Sequence, residues 1–173
     1  MNLMKNVIKV IDRVNRIVGK LASWSVVFIV ILIMFEVISR RIFNAPTIWT
    51  VEVSTMIFGF YFMMIAAYGL LTNSLVSVDI IYEKFSPKTK AILDLVTYSL
   101  FFLPFVLGVL YAGYHFALNS WIQKEVSWSA FSPPVYPLKT VIPVSMFFLL
   151  LQGISEILKR VVALVEGGST SVR

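Results

Sequence analysis

The fold of this chain is decided by residues 53–78, which read VSTMIFGFYFMMIAAYGLLTNSLVSV and contain no charged side chain. A second uncharged run extends over residues 95–123, where no polar group is stronger than His115. A helix needs about 20 apolar residues to cross a hydrocarbon core about 30 Å thick. Each run is long enough to cross a bilayer, so the sequence predicts an integral membrane protein.

The composition of the whole chain agrees with this prediction. Apolar residues make up 58% of the 173 residues and charged residues 14%, against about 25% charged in ordinary globular domains. We expect a single membrane domain over residues 1–173. The absence of cysteine excludes disulfides and thiolate metal sites. The net charge of +6 sits at segment ends and does not indicate a nucleic-acid partner.

The apolar segments predict an all-α integral membrane fold with four transmembrane helices. An amphipathic basic extension over residues 2–20 either lies in the membrane interface or runs straight into the first span. Mixed apolar and polar residues after helix 2 suit a short interfacial helix. The predicted bounds are about 21–42 for helix 1, about 50–72 for helix 2, about 76–86 for the interfacial segment, about 90–118 for helix 3 and about 140–162 for helix 4.

The first apolar run also has to be weighed against a cleaved signal peptide. It ends in the residues EVISRR at 36–41, with no small-residue cleavage site. We therefore expect a retained helix.

The positive charges predict the topology. Four spans put both termini on one side, and that side collects 11 of the 15 Lys and Arg residues. Cytoplasmic loops carry an excess of Lys and Arg, so both termini are expected in the cytoplasm.

Two prolines affect the predicted helices. Pro104 lies inside helix 3 and should kink it. Pro143 falls in the first turn of helix 4, where a missing N–H costs little.

Ionisable residues near the spans favour structural roles. Glu36 and Arg40 are four residues apart in helix 1, and Glu156 and Arg160 repeat this spacing in helix 4, so each pair shares a helix face. A proton relay would need unpaired acids deep in several helices. His115 is the only histidine and is expected to be packed, hydrogen-bonded or interfacial, since one imidazole cannot build a metal site.

Small residues on helix 3 leave two interpretations open. Gly108 and Ala112 form one small-xxx-small pair, and Gly113 and Ala117 form another. Such pairs let helices approach closely in lipid. They serve either packing within this bundle or docking of a second membrane protein.

The stretch SRRIFNAP at residues 39–46, followed by Trp49 and Glu52, carries a family resemblance. It resembles the signature of the small, Q-type (DctQ-like) membrane subunit of tripartite ATP-independent periplasmic (TRAP) transporters. Residues 76–79, VSVD, are similar to the family's next motif, and residues 134–143 resemble its entry to helix 4. The chain departs from the family at Leu75, where a histidine is usual.

The resemblance implies an inner-membrane scaffold without catalytic activity. A large multi-spanning permease subunit would hold the substrate and Na⁺ sites, and a soluble periplasmic binding protein would deliver an organic anion. This chain would need no cofactor and would contact its partners and membrane lipids. The transported substrate cannot be inferred from this chain.

The same resemblance suggests roles for the motif residues. Arg40, Arg41, Trp49 and Glu52 would form a periplasmic-side corner that orients helices 1 and 2, contacts the large subunit or helps dock the soluble protein. Anchoring at the membrane interface with an Arg–Glu pair is the simpler interpretation. Asp79 would cap or anchor the interfacial helix on the cytoplasmic side.

Two other functions, and another accessory role in the membrane, remain as alternatives. A self-assembling four-helix channel would need a polar stripe along one helix. A small membrane enzyme would need clustered acids, His or Cys near one interface, and the single His and absent Cys argue against it.

Overall fold

A computed structural model describes residues 2–74 and 85–165. Within them the chain is helical, with no strand longer than one isolated bridge. The elements are α1 (Asn2–Ser23), α2 (Ser25–Ile42), α3 (Trp49–Met64), α4 (Ala66–Leu71), α5 (Pro87–Thr97), a π-helical turn (Tyr98–Phe102), α6 (Leu103–Gln123) and α7 (Tyr136–Val165). They form four helical segments long and apolar enough to span a membrane: Asn2–Ile42, Trp49–Leu71, Lys88–Gln123 and Tyr136–Val165. The predicted fold class is confirmed. The predicted interfacial helix falls largely on residues 75–84, outside the described residues, as does Asp79.

The basic N-terminal extension runs straight into the first span. Only Trp24 separates α1 from α2, and its backbone stays in the right-handed helical region at φ −64° and ψ −21°. Asn15, Gly19 and Ala22 are buried, because α1 packs against α4 and α7. A Cβ atom on Gly19 would lie 2.4 Å from the Tyr68 Cβ, so the close approach of α1 and α4 requires glycine here.

Pro104 marks an irregular turn in the third span. The helix passes through the π turn directly before the proline, and the Leu103 amide donates to the Tyr98 carbonyl five residues back. A widened turn accommodates a residue that has no N–H and whose ring crowds the preceding turn. The sequence predicted a kink at Pro104, and the irregularity that the structure shows directly before the proline is this π turn. The span then continues to Gln123 and ends where Lys124 adopts the left-handed conformation.

The fourth span, α7, is the centre of the bundle. It contacts α1, α3, α4, α5 and α6, and its buried residues include Gln152, Ser155 and Glu156. The predicted position of Pro143 was wrong, because the helix begins at Tyr136 and Pro143 lies inside it. Pro137 occupies the first turn instead.

Candidate partner-contact site

The connection between α2 and α3 is a tight corner. Asn44 adopts a left-handed conformation at φ 50°, which Asn tolerates better than most residues. The Ser39 hydroxyl donates to the Ala45 carbonyl at 2.6 Å, and the Ala45 amide donates to the Ser39 carbonyl at 3.1 Å. These bonds satisfy the end of α2 and turn the chain back into α3.

Glu36 is the centre of this corner and is buried. Its Oε1 accepts from Arg40 Nη2 at 2.7 Å and from Arg40 Nε at 3.2 Å. Its Oε2 accepts from the Thr47 amide at 3.3 Å and from the Thr47 hydroxyl. The Thr47 and buried Thr50 hydroxyls are also hydrogen-bonded. We call Glu36, Arg40, Thr47 and Thr50 the corner cluster.

The structure brings the resemblance-derived residues to this corner in different ways. Arg40 belongs to the corner cluster, and its predicted pairing with Glu36 is confirmed. Trp49 packs near the Phe35 ring, with centroids 6.0 Å apart. Arg41 is exposed and makes no ion pair within the described residues. Glu52 lies in the first turn of α3, where the helix dipole favours a carboxylate.

Glu52 has one feature that the sequence did not indicate. The residue is partly buried, and its Oε2 atom is inaccessible but has no hydrogen-bond partner in the described part of the chain. A buried carboxylate oxygen without a donor is costly. Glu52 is therefore a corner residue whose hydrogen bonding is incomplete within the described residues.

A second polar cluster joins α1 to α7 near the opposite end of the bundle. Asn15 Nδ2 donates to Gln152 Oε1 at 2.8 Å, and Gln152 Nε2 donates to Asp12 Oδ1 at 3.1 Å. The Ser155 hydroxyl donates to Asp12 Oδ1 at 2.8 Å. Asn15, Gln152 and Ser155 are almost completely buried.

Charged residues complete this second cluster. Lys159 Nζ lies 2.9 Å from Asp12 and 2.7 Å from Glu156. Arg160 lies 2.9 Å from Asp94 and 3.9 Å from Glu156, which confirms the predicted Glu156–Arg160 pair. We call this set the terminal cluster; its members are Asp12, Asn15, Asp94, Gln152, Ser155, Glu156, Lys159 and Arg160.

The two clusters are separated by about the thickness of a bilayer. Asp12 and Glu36 are 24 residues apart on an almost continuous helix, which corresponds to about 36 Å at about 1.5 Å per residue. The hydrocarbon core is about 30 Å thick. The polar groups that fix the first span to its neighbours therefore lie near the two membrane faces.

Sequence reasoning missed most of these partners. Thr47, Asp12 and Gln152 were not singled out. Gln152 carried a signal, since it is the one amide inside the uncharged run 141–154, and intramembrane polar residues face protein rather than lipid. Asp12 also carried a signal, since it is the one acidic residue among residues 2–20 and lies on their basic face.

The small residues of α6 lie on two different faces. Gly113 and Ala117 are buried against α7, and a Cβ atom on Gly113 would lie 2.9 Å from Ile142 Cγ2. Gly108 and Ala112 are exposed, and nothing lies within 4 Å of a Cβ atom on Gly108. Gly113 and Ala117 therefore serve packing in this bundle, whereas Gly108 and Ala112 serve no such packing within the described residues.

Two polar side chains extend the exposed pair into a strip. At about 100° per residue, Gly108, Ala112, His115 and Asn119 fall within about 60° of one another. His115 and Asn119 are exposed, and His115 contacts only Tyr111 and Tyr114 among the described aromatic rings, with centroids 4.6 and 5.8 Å away. We call these four residues the outer strip of α6.

The described residues contain no group of three or more His, Cys, Asp or Glu side chains placed to hold a metal ion. The ionisable side chains of the two clusters are instead paired with one another and with Thr, Asn, Gln and Ser. Their arrangement holds helices together at the two ends of a four-span bundle. This geometry defines a multi-pass membrane protein whose polar groups serve helix packing.

Comparison with protein families identifies the family of this chain. Residues 29–163 match the family described as "Tripartite ATP-independent periplasmic transporters, DctQ component", so the chain belongs to this family. It is a small component of a tripartite transporter in the inner membrane and is not an enzyme. No curated protein matches the chain.

Proposed function

We propose that this chain is the fixed, small permease subunit of a Na⁺-coupled TRAP transporter for organic anions. It packs beside a large multi-spanning permease subunit, which holds the Na⁺ and substrate sites. A periplasmic binding protein delivers the substrate to the assembled pair. This chain binds no cofactor in the proposal, and its own task is to hold the large subunit in place in the membrane.

The observation that carries this proposal is the pair of polar clusters about 36 Å apart. The corner cluster holds α2 to the connection that leads into α3. The terminal cluster holds α1 to α7 and α7 to α5. A helix that slid along its neighbours would break the Glu36–Thr47 hydrogen bond at one end of the bundle and the Asp12–Lys159 and Asp94–Arg160 ion pairs at the other. Leaving one partner of a buried ion pair without the other typically costs about 3–5 kcal/mol, and less where the pair is partly exposed. The bundle is therefore suited to a fixed role.

The outer strip of α6 supports a contact with the large subunit. It points about 140° away from the buried stripe of α6, from the same helical geometry. Faces that contact lipid are bulky and apolar, as on α2, where Phe28, Val30 and Ile31 are exposed. Small and polar residues favour a helix–helix contact. We propose that a helix of the large subunit packs on this strip.

Glu52 and Arg41 suit a contact at the corner. A hydrogen-bond donor from a partner would satisfy the unpartnered Glu52 oxygen. The exposed guanidinium of Arg41 is available to an acidic group. With both termini in the cytoplasm, as the charge distribution favours, this corner faces the periplasm. There it meets the large subunit, and the docked binding protein is also within reach.

Reconstitution tests the proposal. Liposomes that contain this chain, the large subunit and the binding protein should take up the organic anion when a Na⁺ gradient is applied. Omission of this chain should abolish uptake. The chain alone should pass no solute; solute flux through it alone would favour the channel alternative and contradict the proposal.

The partner surface is tested by adding bulk to it. Gly108→Leu should lower the yield of the large subunit recovered with this chain, because the leucine side chain holds the partner helix away. Val30→Phe on α2 is the matched control, since it also adds four carbon atoms at an exposed position in a span. Equal recovery with both variants would exclude the outer strip as the contact surface.

A further inference from the structure

The connection between α6 and α7 is folded as a small hairpin. Val126 and Pro134 form an antiparallel bridge. The Ser127 amide donates to the Pro133 carbonyl at 2.9 Å, and the Val135 amide donates to the Glu125 carbonyl at 3.0 Å. We call residues 125–135 the hairpin.

The tip and the base of the hairpin are both fixed. At the tip, the Ser132 hydroxyl donates to the Ser129 carbonyl at 2.7 Å. At the base, Lys139 of α7 donates to the Glu125 carboxylate and lies 4.0 Å from the Phe116 ring centroid of α6. The hairpin therefore has a defined position at the ends of two membrane-spanning helices.

Two aromatic residues beside the hairpin reinforce its base. Trp121 Nε1 donates to the Thr140 hydroxyl at 2.8 Å, and the Trp121 and Tyr136 rings are 4.4 Å apart. Trp and Tyr favour the level of the lipid headgroups. Trp121 and Tyr136 therefore suit a position of the hairpin base at the level of the lipid headgroups.

The hairpin presents apolar side chains outward. Trp128 is 101% exposed, and Val126 and Phe131 are about half exposed. Ile122, in the last turn of α6, is 79% exposed. Residues 126–138 contain no charged side chain. Fully exposed tryptophan on a rigid, uncharged loop is unfavourable in water, since its ring is a large apolar surface with one polar N–H.

We propose that the hairpin is an interfacial membrane anchor and that the Trp128 ring lies in the lipid headgroup region. The exposed Ile122 precedes the hairpin by three residues, at the end of a helix long and apolar enough to span a membrane. The lack of charge disfavours a soluble protein as the occupant, because the rim of such an interface is polar. Anchoring α6 and α7 through one rigid loop would set the height of both helices in the bilayer.

Brominated lipids test this position while retaining the native tryptophan. The full chain is reconstituted in nanodiscs of phosphatidylethanolamine and phosphatidylglycerol, with bromine near the headgroup end of the acyl chains. Trp128→Phe removes this ring while Trp24, Trp49 and Trp121 remain. The quenched part of the emission should fall measurably in the variant. An unchanged quenched intensity would overturn the proposal.

A spin label gives a second measurement, because the chain has no native cysteine. A nitroxide label attached at Trp128→Cys should be more accessible to oxygen than to a water-soluble nickel chelate. The ratio of these two accessibilities should be several-fold higher than for the label at Arg41→Cys, which is exposed at the corner. Leu107→Cys, exposed within a span, provides the lipid reference. Nickel accessibility equal to that at Arg41→Cys would refute lipid contact. A label at Trp128→Cys that loses nickel accessibility only after the binding protein is added would also refute lipid contact. That result would assign the hairpin to protein docking.

Discussion

Replacing Asp12 by alanine should destabilise the bundle far more than is expected for a residue that the helical periodicity of α1 places on a polar, solvated face. The substitution removes an ion pair to Lys159 at 2.9 Å and two acceptor contacts, with Ser155 at 2.8 Å and Gln152 at 3.1 Å. The Asp12 and Lys159 side chains are only 20% and 17% exposed.

The expected loss follows from these contacts. Hydrogen bonds within membrane proteins average about 0.6 kcal/mol, with a maximum near 1.7 kcal/mol. Removing one partner of a fully buried ion pair costs about 3–5 kcal/mol, but Lys159 keeps Glu156 at 2.7 Å. We therefore expect Asp12→Ala to lower the free energy of unfolding by about 2–3 kcal/mol.

Reversible unfolding of the purified chain in mixed detergent micelles measures this loss. Arg13→Ala is the matched control, because Arg13 is the next residue and is exposed. Asp12→Asn should fall between the wild type and Asp12→Ala, since it keeps the size and one acceptor but loses the charge. A loss no larger than that of Arg13→Ala would refute the role of the terminal cluster.

Three further predictions concern α6, the hairpin and the corner. Gly113→Ala should destabilise the chain by about 1–3 kcal/mol through overpacking against α7, whereas Gly108→Ala should leave thermal stability unchanged or slightly higher; equal effects in a thermal-shift assay would contradict the assignment of the two faces. Lys139 holds the pKa of the Glu125 carboxyl below its ordinary value of 4.5, so this pair stabilises the hairpin above pH 4.5 and loses its contribution as the pH falls through the lower folded-state pKa. Trp emission measures the loss of hairpin order at acid pH, and this loss should be absent in Lys139→Met. Glu52→Ala should lower uptake or recovery of the complex without preventing membrane insertion, and unchanged uptake would exclude an essential role for this carboxylate.

The spans could be predicted because each depends on local composition. The run at residues 53–78 is long and uncharged, so its membrane insertion follows from length alone. The i,i+4 pairs Glu36–Arg40 and Glu156–Arg160 were also predictable, since both members lie on one helix. These features need no knowledge of which helices are neighbours.

The partners that span the bundle could not be predicted in this way. Asp12 and Ser155 are separated by 143 residues, and the periodicity of α1 assigns Asp12 to a solvated face. The Thr47 contact with Glu36 depends on the path of the corner through Asn44. Likewise, the helical spacing of α6 distinguishes the two small-residue pairs, but only the position of α7 shows that Gly113 faces inward.

The proposed fixed role of the chain is tested most directly by cross-linking α6 to α7 in the reconstituted transporter. A Cβ atom on Gly113 would lie 3.7 Å from the Ile142 Cβ, close to the separation in disulfides, and no native cysteine interferes. The double variant Gly113→Cys with Ile142→Cys should support the same Na⁺-driven uptake when oxidised as when reduced. Uptake that stops on oxidation and returns with reductant, while both single variants are insensitive, would show that helices of this subunit move during transport and would contradict the account.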